Sequence, residues 1–172
     1  MSDIKNPTLK AWTAGFVRRW HTHPELCDTV DYDSGHQQRC AVLLLQFWPE
    51  TSRDLLIRAI IHDQGECDSG DIAYPAKKKH PQIAALVSDI ELSSIQSQGF
   101  PCPTLSKDDQ LKMKFVDYLD SFLWMWRHKP QMMFKSEWEN QAVDLGVHAM
   151  GLGILDEYDD FMVAAHDFFW PQ

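Results

Sequence analysis

Long apolar runs are missing from this chain. Nowhere do about 18 apolar residues follow one another, so no membrane-spanning helix is readable and no membrane partner is expected. The opening residues, "MSDIKNPTLK", lack an apolar segment between a basic start and a small-residue cleavage site, which argues against a secretory leader. The four cysteines, Cys27, Cys40, Cys67 and Cys102, form no CxxC pair. Neither a zinc ribbon nor a disulfide framework is therefore expected, and reduced thiols in a cytoplasmic protein (the host cytoplasm for a viral chain) are the reading. Positive charge is scarce as well: 16 Lys and Arg stand against 25 Asp and Glu, and a net charge of −9 repels a nucleic-acid polymer at long range. Strand-like alternation of Val, Ile and Thr is nearly absent, and no internal repeat stands out.

What is present reads as consecutive helices separated by Pro, Gly and Ser. With 172 residues, 44% of them hydrophobic, the chain can bury a core but is short for two ordinary domains, so one all-α domain over residues 1–172 is expected. A first helix is predicted over "LKAWTAGFVRRW", with Leu9, Trp12, Phe16 and Trp20 on one face and Pro24 blocking continuation. A second is predicted from Gly35 to Trp48, with Cys40, Leu43, Leu44 and Phe47 as its stripe and His36 on the same buried side. "PETSRDLLIRAIIHD" opens with a Thr51-x-x-Asp54 capping pattern. The irregular "SGDIAYPAKKKHP" then precedes a helix in "QIAALVSDIELSSIQSQ" that stops at "GFPCP". "SKDDQLKMKFVDYLDSFLWMWRH" is the clearest helix, capped through Ser106 and Asp109 and ended by Pro130. The remaining residues predict two more helices around a "GLG" joint, which lacks the preceding strand and third glycine of a dinucleotide loop.

Ionisable groups sit at inward positions of these helices. His36, His62, Asp63 and Asp117 come from three different helices and make two imidazoles and two carboxylates, a set that suits Zn, Mn, Fe, Co or Mg and selects none of them. Each has an ordinary explanation when taken singly: a histidine satisfied within a core, a chance His-Asp dipeptide, or an Asp117 paired with Arg58 or Lys114. The ordered set H…HD…D is more specific than its parts. An uncompensated carboxylate inside the apolar helix around Asp117 would cost several kcal/mol.

That ordered set resembles the HD-domain metal-dependent phosphohydrolases, with His36, His62, Asp63 and Asp117 on the metal motif and "KFVDYLDSFL" similar to the helix that carries the last ligand. "RRWHTHPELCDTV", "HDQGE" and "GDIAYPAKKK" resemble more narrowly the deoxynucleotide branch, which includes bacterial 5′-deoxynucleotidases and small phage hydrolases acting on dATP. The resemblance spans most of residues 16 to 126. It implies an HD-domain helical bundle, one divalent metal, a small deoxynucleotide substrate and assembly into a homo-oligomer, a dimer or larger.

It also implies roles. Glu66 would orient the attacking water or accept its proton, Arg19 would hold the phosphate, and Trp20 would stand beside the sugar or base. Asp71 would bind the sugar hydroxyl or assist catalysis, Ile72, Ala73 and Tyr74 would line the substrate, and Lys77 and Lys79 would face the phosphates; Asp63 would meet both metal and substrate. Two departures bear on the substrate: "DYDSG" is extra sequence before His36, and Tyr74 replaces a small polar residue common in the bacterial enzymes.

Triphosphate removal from a dNTP, with dATP foremost, is the expected reaction, on the compact chain, on "RRWHT" and on three consecutive lysines. Release of one phosphate from a dNMP is the alternative. Other specificities, such as cyclic nucleotides or alarmones, come next, and a nucleotide-binding module without turnover is a further reading, for which Glu66 together with Arg19 would be superfluous. The apolar face of "DDFMVAAHDFFW" fits either core packing or oligomerisation.

Overall fold

The computed structural model describes residues 4–72 and 74–170, with the side chains of Tyr74 and Pro75 also outside the description. The chain is all-α. Among the described residues the one β feature is an isolated antiparallel bridge between Arg18 and Tyr32. Two compact units are distinguished: Met1–Ala41 with Ser52–Thr104, and Val42–Thr51 with Leu105–Gln172.

In the first unit, α1 (Pro7–Ala14) begins where the Asn6 side chain accepts the Leu9 amide and Pro7 takes the first helical position. It ends well short of the expected Trp20. Beyond Gly15 the backbone turns to pair with a neighbouring segment instead: the Arg19 amide donates to Asp31 and the Asp33 amide to Val17. Those exchanges compete with helical hydrogen bonds and win. The expected apolar face is consequently not core, since Leu9, Trp12 and Phe16 are exposed, the last two packed edge-to-face.

α2 (Asp33–Phe47) starts two residues earlier than its pattern predicts and buries Cys40, Leu43 and Leu44. α3 (Arg53–Ile61) is capped by Ser52, whose hydroxyl accepts the Leu55 amide at 3.1 Å. Thr51, the expected cap, donates instead to the carbonyls of Leu44 and Trp48, so the cap lies one residue later. Leu55, Ala59 and Ile61 face inward, whereas Ile60 is exposed. Short α4 (Glu66–Ser69) and α5 (Tyr74–Lys79) lead to α6 (Pro81–Ser97), against which α4 packs.

In the second unit, α7 (Lys107–His128) is capped as its sequence predicts, by the Ser106 hydroxyl on the Asp109 amide, and buries Phe115, Leu119, Phe122 and Trp126. A 3-10 turn from Pro130 leads to α8 (Ser136–Gly151) and α9 (Leu155–Phe169). The "GLG" joint between these two turns through Gly153 at φ +71°, which a residue with a Cβ rarely adopts. Tyr158 and Trp138 anchor the two helices in an aromatic core with Phe115 and Phe122. No helix among the described residues is long and apolar enough to cross a membrane.

Candidate metal centre

The C-terminal end of α3 lies at the site. His62 closes the helix, and its Nδ1 lies 2.9 Å from the Ala59 carbonyl oxygen. A carbonyl only accepts, so Nδ1 carries a proton, and in the neutral imidazole the lone pair is left on Nε2. His36, fully buried on α2, presents its own Nε2 3.1 Å from that of His62. The Oδ2 of Asp63 completes the triangle, 3.5 Å from His36 Nε2 and 3.4 Å from His62 Nε2.

Three ligand atoms thus converge, from two imidazoles and one carboxylate. The tautomer at His62 is the one a metal ligand needs, and its second nitrogen is oriented as such ligands usually are. Cys40 Sγ lies 3.7 Å from the His36 ring nitrogens, one turn along α2, so His36, Cys40 and His62 also form a group whose ligand atoms lie within 4.8 Å of one another. These donors fit a divalent cation.

Arg19 reaches the same carboxylate. Its Nη1 stands 2.6 Å from Asp63 Oδ2, and its Nε 3.7 Å from Asp31 Oδ2. Asp31 is buried and also accepts two hydrogen bonds from Arg39, at 3.1 and 3.0 Å. Backbone pairing between Arg19 and Asp31 sets this ion-pair chain in register. Next to it Trp20 holds φ +64°, a left-handed conformation that costs a non-glycine residue about 1–3 kcal/mol. The Trp20 amide donates to Asp71 Oδ2 at 2.8 Å, and the Arg19 guanidinium carbon lies 5.6 Å from the Trp20 ring centroid. Asp71 therefore grips the turn that carries Arg19 and Trp20.

Glu66 opens α4 and is buried, with Oε2 lacking a hydrogen-bond partner. Burial, reinforced by the neighbouring Asp63, pushes its carboxyl up to about 10. Gly65 makes this placement feasible: a Cβ there would lie 2.5 Å from the Glu91 Cα and carbonyl oxygen, so only a glycine lets the turn lie so close to α6.

Asp33 was not anticipated. It is fully buried, neither oxygen has a hydrogen-bond partner, and burial followed by the Asp63 charge pushes it up to about 8. Asp33, Asp63 and Glu66 each offer an oxygen within 4.8 Å of the others. A signal was available, because Asp33 precedes His36 by three residues and so shares its helix face once α2 starts at Asp33. Asp33, within "DYDSG", thus belongs to the carboxylate cluster.

The remaining expected residues are placed as follows. Ile72 is half-buried, Ala73 and the Tyr74 side chain lie outside the described residues, and Lys79 is exposed. Lys77 Nζ stands 3.4 Å from Glu91 Oε1. Asp117 is half-buried on α7 of the second unit, three residues before the buried Asp120.

No family model matches the chain, and comparisons with curated proteins and with solved structures return no match either. The geometry of the site stands on its own.

Proposed function

We propose that this protein is a metal-dependent phosphohydrolase of small deoxynucleotides, with dATP or another dNTP as substrate, cleaved to deoxynucleoside and triphosphate. The observation that carries the reading is the meeting of two imidazole nitrogens and one guanidinium around Asp63 Oδ2, at 2.6 to 3.5 Å. A cation seat beside a phosphate-binding cation is what hydrolysis of a phosphoester needs.

His36, His62 and Asp63 would hold the ion. When bound, a dication polarises a phosphoryl oxygen and makes water a stronger acid near neutral pH. Arg19 supplies planar paired donors to the phosphate, and its ion pairs with Asp31 and Asp63 pre-set its direction. Asp71, through the Trp20 amide, holds the strained turn so that the indole and guanidinium stay side by side. Glu66 is the carboxylate available to orient the attacking water and take its proton, once nearby positive charge favours its ionised form.

Phosphate release from a dNMP is the second reading, and one observation favours it: Lys77, expected to meet a triphosphate, is engaged by Glu91. One panel separates them. The purified chain is assayed with several divalent metals against dNMPs, dNTPs and rNTPs, measuring phosphate, pyrophosphate and triphosphate separately. Triphosphate from dATP supports the first reading, and phosphate from dNMPs alone selects the second. No metal-dependent product from any substrate removes both.

A further inference from the structure

We propose that Asp33, Asp63 and Glu66 hold a second divalent cation, beside the one assigned to His36, His62 and Asp63, with Asp63 shared between the two ions. The inference rests on the histidine site of the proposed function and adds a second seat to it. Oxygens of the three carboxylates lie within 4.8 Å of one another. The decisive member is Asp33, whose side chain is completely shielded from solvent while both of its oxygens, and Glu66 Oε2, lack hydrogen-bond partners.

A folded protein does not ordinarily bury an acid in this way, because an unpartnered carboxylate loses its hydration without replacement. Arg19 compensates part of the charge through Asp63, and Asp31 has a separate partner in Arg39. Once ionised, the three carboxylates would outnumber the one guanidinium, and the oxygens of Asp33 and Glu66 Oε2, which have no hydrogen-bond partner, belong to a group whose ligand atoms lie within 4.8 Å of one another.

The two seats differ in chemistry. Nitrogen and sulfur donors from His36, His62 and Cys40 suit a borderline ion such as zinc, whereas an all-oxygen set suits a hard ion such as Mg2+ or Mn2+. Two cations sharing a carboxylate typically stand about 3.5–4 Å apart and clamp the attacking and leaving oxygens of a phosphoryl displacement. In this arrangement Glu66 holds the second ion instead of taking the water's proton, and Asp33 gains a function that one-ion hydrolysis leaves it without.

The test counts ions without relying on turnover. The full chain, stripped with chelator, is titrated with Mn2+ while the loss of free-ion electron paramagnetic resonance signal reports the number bound. Two ions per chain with an exchange-coupled spectrum are expected for the wild type, and one uncoupled ion for Asp33→Asn. One ion in the wild type, or two in Asp33→Asn, overturns the inference while leaving the histidine site standing. No bound ion overturns the histidine site too. Circular dichroism checks that Asp33→Asn folds; should it not fold, Glu66→Gln is read in its place, with halved stoichiometry expected and unchanged stoichiometry overturning the proposal.

Discussion

The polar side chains buried among the described residues divide unevenly between the two units. Thr29, Asp31, Asp33, His36, Gln37, Gln64, Glu66, Ser94 and Gln98 belong to the first, and Asp120 alone to the second. The second unit is built around rings and aliphatic chains: Phe115 stacks edge-on with Phe47 and Tyr158, and Phe122 packs with Trp126 and Trp138. An apolar core of this kind stabilises by removing area from water, with little directional demand. The first unit instead places charged groups where each requires a partner, and at Asp33 and Glu66 the partner is missing. Groups that weaken the fold persist where they serve a site.

Breaking the apolar side should leave the polar side intact. Phe122→Ala is expected to destabilise the protein by about 3–5 kcal/mol, read by denaturant unfolding, while Mn2+ affinity below the transition stays at the wild-type value. A matching loss of affinity would show that the contrast between units is false. Breaking the polar side should do the reverse: Asp63→Ala removes several kcal/mol of charge stabilisation, so metal binding is lost and kcat/KM falls by roughly a thousandfold, with little change in the far-ultraviolet spectrum.

Gly65→Ala tests the close approach that places Glu66. The added methyl meets backbone of α6, which cannot yield as a flexible side chain would, and a loss of about 1–3 kcal/mol in thermal unfolding is expected, with kcat reduced as Glu66 shifts. Stability of wild-type Tm would show that the turn relaxes freely.

Charge burial also has a pH signature. Asp33 and Glu66 have raised folded-state values of about 8 and about 10, so between the ordinary carboxylate range and those values the folded state holds more protons than the unfolded one. Stability of the metal-free protein should therefore fall as pH rises from about 4 towards 8. Asp33→Asn should flatten that slope, as should saturating Mn2+, in melts recorded across the range. A slope unaffected by either would remove the carboxylates as its source. The smallest effect is at a cap: Ser52→Ala should cost about 1 kcal/mol while leaving metal binding unchanged.

Helix existence was legible wherever period and caps agreed, as in α7, where Ser106 caps and Phe115, Leu119 and Phe122 repeat on one face. It failed at residues 15–20, because the pairing of Arg19 with Asp31 and of Val17 with Asp33 is non-local and leaves no trace in periodicity. His36 and His62 were readable as inward from their helix positions, and both Nε2 atoms meet. Asp33 escaped because it lay in residues assigned to a loop, where facing has no meaning until the helix start is known. The role of Asp71 beside Trp20 depends on a left-handed turn 51 residues away in sequence, which no local pattern announces.

The sequence by itself determined the all-α class, the limits of α6 and α7, and the residue types from which a cation seat can be made, since propensity, capping and amphipathic period act within a few residues. Only the tertiary structure decided which groups meet: that Asp63 Oδ2 faces two imidazoles and Arg19 together, and that Asp33 is buried beside Glu66 without a partner. Such meetings depend on distances between residues far apart along the chain, and those distances exist only once the helices have packed.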